Sequence, residues 1–450
     1  MEDTGRSPRS GRAPLPRGPY LVVGLARSGV AAARALLAQG HEVVAVDAGA
    51  TPPGAAELRA DGVAVHTGTN GLEHLEHARA VVKSPGVPAQ AAVVAAARER
   101  GIPVMGELEL AWRLVPNPFI AVTGTNGKTT TAELVGHIHR EAALACAVVG
   151  NVGTAASTLA GRLAPDAVVV CEASSFQLED ALEFAPDAAV LLNVTPDHLD
   201  RHGTFEEYVA AKLRIFARQG NDDVAVIPTH LGIEDVGGCA RRVLFGTGPE
   251  AELAERAGQL WWADEPLLAV DEIRLRGAHN LLNAMAAAAV CLARGVEADP
   301  VRDGLRTFGG VEHRLEEVAE IDGVLYVNDS KATNVESTLV ALAAFDAPVH
   351  LILGGRGGGQ EFTPLRAAVA QRAASVELIG EDAEAIAAAL ALTSVPQHRC
   401  GDLERAVARA HRDARPGEVV LLSPACKSFD QYADFEARGA HFKELVAALR

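Results

Sequence analysis

The run Phe119-Ile120-Ala121-Val122-Thr123-Gly124-Thr125-Asn126-Gly127-Lys128-Thr129-Thr130-Thr131 decides how this chain is built. Its apolar, β-branched opening reads as a buried strand, its two glycines as a turn, and Lys128-Thr129 as the start of a helix. That order presents backbone N–H groups and a helix N-terminus to one point in space, an arrangement that holds phosphate. Lys128 adds positive charge at the outer phosphates, and the hydroxyl of Thr129 or Thr130 is placed for Mg²⁺. Gly124, Asn126 and Gly127 form the loop itself, with two residues between the glycines where the common phosphate loop has four.

A chain of 450 residues, 48% of them hydrophobic, holds several domains that each bury a core. It has no run of 18 charge-free apolar residues, so no membrane span is expected. The net charge of -17 argues against non-specific nucleic-acid binding. Six scattered cysteines without C-x-x-C spacing suit reduced thiols in a cytoplasmic protein and support neither disulfides nor zinc. Residues 1–18, rich in Pro, Arg and Ser and lacking an apolar stretch, read as a disordered tail. Of 41 basic residues only six are lysines: Lys83, Lys128, Lys212, Lys331, Lys427 and Lys443. Where arginine is the default cation, a retained lysine is more often there for its ammonium or its amine.

Working outward from the loop, the pattern gives an α/β fold of three domains. Residues 19–106 form a Rossmann-like domain: Tyr20–Val23, a glycine turn, an Ala/Leu helix ending at Gly40, then a strand through Asp47. Ala26 stands where a dinucleotide fingerprint has its second glycine. Ser84-Pro85-Gly86-Val87 is a loop at a strand's carboxyl end, where α/β ligands bind. Residues 107–310 form the central phosphate-loop ATPase domain with a mostly parallel sheet, including strands at 167–171 and 188–192. Near its end Asn280 is expected to cap a helix that stops at Gly295. Residues 311–450 form a C-terminal Rossmann-like domain with strands at 325–327, 350–353 and 419–422.

Polar clusters follow the strands. Glu172 ends one strand and His198 follows the next, so the two could meet around a cation; a helix cap and a surface histidine are the plainer alternatives. Lys212 lies in an amphipathic helix, where an unmodified lysine ordinarily snorkels to solvent. Asn328-Asp329-Ser330-Lys331-Ala332-Thr333-Asn334 and Ser423-Pro424-Ala425-Cys426-Lys427-Ser428-Phe429 follow strands of the third domain and would share a sheet edge.

These segments in this order resemble the Mur ligases, the ATP-dependent amino-acid adders of peptidoglycan synthesis. The likeness runs from residue 20 to 450 through Thr123–Thr130, Glu172–Leu178, Asn193–Asp200, His279–Asn283, His313-Arg314 and Asn328–Asn334. Gly24–Gly29, Ser84–Val87 and Leu422–Gly439 place it beside the D-glutamate-adding branch. The resemblance implies a monomeric cytoplasmic ligase that joins D-glutamate to UDP-N-acetylmuramoyl-L-alanine through an acyl phosphate, with ATP and two Mg²⁺. It further implies that Lys128, Thr129 and Thr130 hold the ATP phosphates and Mg²⁺. Glu172 and His198 ligate a second Mg²⁺, beside a carbamylated Lys212. Asn280 and Asn283 lie near adenine, and Arg314, Asp329 and Lys331 close over the nucleotide from the third domain. Leu25, Asp47 and Gly86 meet the uridine diphosphate, with Asn151, Ser174 and Gln177 near the muramoyl-alanine end. Thr333, Ser428 and Phe429 hold D-glutamate.

Two positions depart from the family pattern. Gly358 stands where members carry a basic residue for a glutamate carboxylate, leaving Arg356 or Lys427 as candidates, and Asp47-Ala48-Gly49 lacks a Thr-Arg pair near uracil. The rival readings are a sibling ligase adding another amino acid, a folylpolyglutamate-synthase-like ligase, a nicotinamide oxidoreductase, and a phosphate-loop switch protein. The N-terminal nucleotide-type domain argues against the folate enzyme. The missing glycine at Ala26 argues against the oxidoreductase. Amino-acid-dependent phosphate release separates a ligase from a switch.

Overall fold

The computed structural model describes residues 12–151, 153–233, 235–275 and 277–449, and its helices pack on three sheets. The first comprises β1 (Tyr20–Val23), β2 (Val43–Asp47), β3 (Ala64–Thr67), β4 (Ala80–Lys83) and β5 (Val104–Gly106). Its order is β3-β2-β1-β4-β5, parallel throughout. Strands buried on both faces need helices on both sides, which the Ala-rich segments between them supply. The chain reverses direction across the sheet between β1 and β4, so a crevice opens beyond their carboxyl ends, at Gly24 and Ser84.

The second sheet has nine strands. They are β6 (Phe119–Thr123), β7 (Cys146–Gly150), β8 (Val168–Glu172), β9 (Ala188–Leu191), β10 (Val224–Pro228), β11 (Arg241–Gly246), β12 (Leu253–Arg256), β13 (Gln259–Trp262) and β14 (Glu265–Ala269). The order β14-β13-β12-β11-β10-β9-β6-β8-β7 puts β6 between β8 and β9, at the reversal. Only β12, β13 and β14 pair antiparallel. A core of Phe119, Ala121, Val169, Cys171, Leu191 and Phe216 fills one face.

The third sheet comprises β15 (Glu316–Ile321), β16 (Val324–Asn328), β17 (Val349–Gly354), β18 (Ala373–Ile379), β19 (Gln397–Gly401) and β20 (Val419–Leu422). Its order is β15-β16-β20-β17-β18-β19, with β15 antiparallel at the edge. The first two sheets belong to one compact unit whose last segment is Ala278–Phe308, and the third to another that runs from Gly309 and also takes Leu275–Gly277. Among the described residues no helix is long and apolar enough to cross a membrane.

Two local expectations change. Residues 1–11 lie outside the described part, but 12–18 pack on the chain. Arg12 donates to the carbonyls of Trp112 and Asn117 at 2.5 and 2.6 Å and to that of Val115, which satisfies the open end of helix Glu107–Leu114. Asn280 does not stand at the start of its helix, which begins at Ala278 after Gly277 at φ +92°; it accepts from Asn283 Nδ2 at 3.2 Å within the first turn.

Candidate functional site

β6 ends where Gly124 and Gly127 take φ of +159° and +85°, and helix Lys128–Glu141 starts immediately after. A β-carbon on Gly127 would lie 2.1 Å from Asn283 Oδ1, so only glycine fits between the loop and helix Ala278–Ala293. Asn193, after β9, fixes the loop from the other side. Its Oδ1 accepts from Thr125 N at 3.0 Å and Asn126 N at 2.9 Å, and its Nδ2 donates to Asn126 O at 3.1 Å. Lys128 Nζ folds back to the carbonyls of Gly124 and Thr125, at 3.0 and 2.9 Å. The loop is thereby preformed around a positive charge.

Glu172, at the end of the adjacent β8, accepts from Thr129 Oγ1 at 2.8 Å and from Asn151 Nδ2 at 3.2 Å. Thr130 is buried; Thr129 is the half-buried hydroxyl beside the carboxylate. Magnesium typically takes one or two protein carboxylates and completes its shell with phosphate and water, so the Thr129–Glu172 oxygen pair fits it. Among the described residues no cluster of three His, Cys, Asp or Glu stands ready to hold a metal unaided.

Lys212 does not snorkel. It is 1% exposed on helix Phe205–Leu213, with Nζ donating to Gly124 O at 2.7 Å and lying 4.5 Å from the Tyr208 ring. Burial first, then the charge of Lys128, pulls its ammonium down to about 7. His198 is left-handed (φ +53°), with its ring against Phe176 at 4.8 Å and its side chain 48% exposed. His202, to which the sequence reading gave no role, is the buried one. Its Nε2 and Ser175 Oγ are 3.0 Å apart, its Nδ1 is 3.1 Å from Glu179 Oε1, and burial holds it below the usual imidazole range.

The crevice beyond β1 and β4 is a cavity of about 360 Å³ lined by Leu25, Arg27, Asp47, Gly86, Val87 and Asn151, among others. It brings together four of the six residues expected at a nucleotide-sugar site. Asp47 shapes it through its carboxylate, which accepts from Leu25 N and Gly49 N, both at 2.7 Å. Ser174 and Gln177 are not among its lining residues; they form a reciprocal cap on the turn Ser175–Leu178, with Ser174 N to Gln177 Oε1 at 3.0 Å and Gln177 N to Ser174 Oγ at 3.3 Å.

In the second unit, Asp329 follows β16. Its Oδ1 accepts from Leu315 N at 3.2 Å, its Oδ2 from Ser423 Oγ at 2.7 Å, and burial pushes it up to about 7. Lys331 N donates to His313 O at 2.9 Å, which ties the Asn328–Asn334 loop to the turn carrying Arg314. Lys331 Nζ lies 6.0 Å from the Phe435 ring. Ser428 is buried and Phe429 is 58% exposed, while Thr333 is half-buried in the same loop as Lys331. Arg356, a candidate to compensate for Gly358, gives its Nε to Glu381 at 2.8 Å; Lys427 is exposed. Sequence reasoning assigned nothing to Arg438, which is 1% exposed. It donates to Ser330 Oγ and O at 2.9 and 2.8 Å and to Cys426 O at 3.1 Å, with burial pulling it down to about 10.

A preformed phosphate cradle at the reversal of a parallel sheet, beside a Rossmann-like sheet with its own cavity, defines a nucleotide-binding α/β protein. Comparison with known proteins goes further. Residues 19–106 match the Mur ligase MurD-like N-terminal domain, 122–291 the Mur ligase middle domain, and 313–426 the Mur ligase glutamate ligase domain. The chain belongs to the Mur ligase family. It is 44% identical to the UDP-N-acetylmuramoylalanine–D-glutamate ligase of Pelotomaculum thermopropionicum, covering 96% of this chain and 97% of that one. The enzyme of the same name from Acidobacterium capsulatum is also 44% identical, over 96% of each. Among solved structures, the UDP-N-acetylmuramate–alanine ligase of Thermotoga maritima superposes with a TM-score of 0.56 at 19% identity, covering 96% of this chain and 99% of that one. The MurF ligase of the same organism, solved with ADP, gives 0.53 at 18%, covering 84% and 91%.

Proposed function

We propose that this chain joins D-glutamate to UDP-N-acetylmuramoyl-L-alanine with hydrolysis of ATP to ADP and phosphate. One observation carries the reading: 44% identity, nearly end to end, to ligases that bear that name. The site chemistry supports it. A carboxylate does not condense with an amine in water unless it is activated, and the cheapest activation available beside a nucleotide cradle is an acyl phosphate. The L-alanyl carboxylate attacks the γ-phosphorus, ADP leaves, the D-glutamate amine adds to the acyl carbon, and phosphate departs from the tetrahedral adduct.

Lys128, released from its two carbonyls, lies where the outer phosphates arrive and offsets the repulsion between two meeting anions. Thr129 and Glu172 would hold one Mg²⁺, and His198, Glu172 and a modified Lys212 a second; bound Mg²⁺ screens the γ-phosphate charge. A lysine amine with its proton affinity lowered to about 7 is substantially neutral at physiological pH and can add to CO₂, losing a proton and gaining a carbamate. That carbamate presents oxygens where an ammonium would repel a cation. The cavity around Leu25, Asp47, Gly86 and Asn151 takes the uridine-diphosphate sugar. Asn280 and Asn283 border the adenine side. Arg314, Asp329 and Lys331 serve the nucleotide, and Thr333, Ser428 and Phe429 serve D-glutamate. The enzyme acts as a cytoplasmic monomer.

The test is phosphate release from ATP with UDP-N-acetylmuramoyl-L-alanine, adding D-glutamate, L-glutamate, L-alanine or meso-diaminopimelate in turn. Release with D-glutamate alone, together with a ligated product, is the expected result. Release with another amino acid moves the chain to a sibling activity, and no release with any of them refutes the reading.

A further inference from the structure

Lys83 is one of six lysines in the chain, ends β4, and is 0% exposed. Its Nζ lies 2.5 Å from Asp180 Oδ2 and donates to Val87 O at 2.9 Å. Asp180 comes from the segment after β8, is itself buried, and also meets Arg98 at 3.3 Å. The same Val87 carbonyl receives a second cation: Arg201 Nη2 donates to it and to Pro85 O, each at 3.3 Å, and to Glu179 Oε2 at 3.1 Å. Arg201 stacks on Phe176 at 4.7 Å. The loop Ser84–Val87 therefore has two faces. One lines the 360 Å³ cavity, with Ser84 Oγ donating to Gly24 O at 2.8 Å. The other is pinned by cations to residues 179, 180 and 201, which belong to the second sheet's side of the unit.

A buried ion pair contributes little net stability, because desolvation offsets its attraction; what it supplies is a fixed geometry. Resting on the functional reading above, we infer that Lys83 is a positioning residue: through Asp180 and the Val87 carbonyl it sets the Ser84–Val87 wall of the nucleotide-sugar pocket against the Glu172 side of the site. Lys83 does not touch substrate. It acts by holding the loop that does, so its loss is felt in the affinity for the UDP-sugar rather than in the chemical step or in ATP binding.

The experiment compares the full-length wild type with Lys83→Met, the charge-free pair Lys83→Met/Asp180→Leu, and Lys83→Arg. Because Lys83→Met leaves the buried Asp180 carboxylate with only the half-exposed Arg98, the double variant removes that cost and keeps the comparison between folded proteins. The readouts are calorimetric binding of UDP-N-acetylmuramoyl-L-alanine and steady-state kinetics. The expected result is a KM and a dissociation constant for the UDP-sugar raised about tenfold in the double variant, with kcat and the KM for ATP held within about twofold, and partial recovery in Lys83→Arg. Unchanged UDP-sugar binding in the folded double variant overturns the inference, as does a fall in kcat with binding intact. A wild type that neither binds the UDP-sugar nor turns over would instead refute the functional reading, so the two failures are distinct.

Discussion

Lys212→Met isolates the buried amine. In the folded chain the Lys212 ammonium is pulled down to about 7, against an ordinary value of 10.5. Between those values the unfolded chain binds one more proton than the folded chain, so stability rises with pH; it is flat below about 7 and levels off above 10.5. Methionine keeps the length and apolar body without the titration. Measured in CO₂-free buffer, the urea-unfolding free energy of the wild type should therefore gain on that of Lys212→Met by about 2 kcal/mol between pH 7 and pH 9. Other groups titrate alike in both proteins and cancel in the difference. Adding ¹³C-bicarbonate should then give a carbamate resonance in the wild type that the variant lacks. Parallel pH curves would refute the argument that burial and Lys128 together depress this amine, and would remove the physical basis for its carbamylation.

Gly127→Ala must place a β-carbon 2.1 Å from Asn283 Oδ1 and hold a left-handed φ of +85°. The conformation alone costs about 1–2 kcal/mol. The KM for ATP is expected to rise at least about tenfold, and pairing the change with Asn283→Ala should recover only the steric part. Glu377, fully buried on β18 and accepting from Ser375 Oγ at 2.6 Å, is pushed up to about 7. Its contribution to stability is complete below the ordinary carboxyl value of 4.5 and is lost as pH rises through 7. Glu377→Gln should accordingly gain about 2 kcal/mol on the wild type between pH 5 and pH 8 by urea unfolding.

The phosphate loop, the Asp47 strand end and the polar segments at 172, 193 and 328 were legible because each is a local pattern: a strand period that stops at glycine or at charge. The residues that depend on tertiary packing were not. Lys212 has the helical spacing of a surface lysine, and only its contact with Gly124 O reveals that its helix turns it inward. His198 and His202 sit four residues apart, and nothing local says that Glu179 and Ser175 bury the second. The ribbon β12–β14 escaped in part because the turn between β13 and β14 uses Ala263 in a left-handed conformation, at φ +51°, where a reader looks for glycine. The Ser174–Gln177 cap was readable locally as S-x-x-Q.

The geometry of Gly124 links these observations. Its carbonyl accepts from both Lys128 and Lys212, at 3.0 and 2.7 Å, which confines the two amines to within about 6 Å of each other. At that separation, in a buried site, two ammonium groups repel, and the more deeply buried Lys212 yields its proton first. Two events relieve the repulsion. A bound polyphosphate would place negative charge beside Lys128 and so ease the repulsion on Lys212, whereas addition of CO₂ would convert Lys212 into an anion that attracts Lys128. In the proposed reaction the two routes would leave opposite charges at Lys212, and only the carbamate would offer oxygen ligands to a cation.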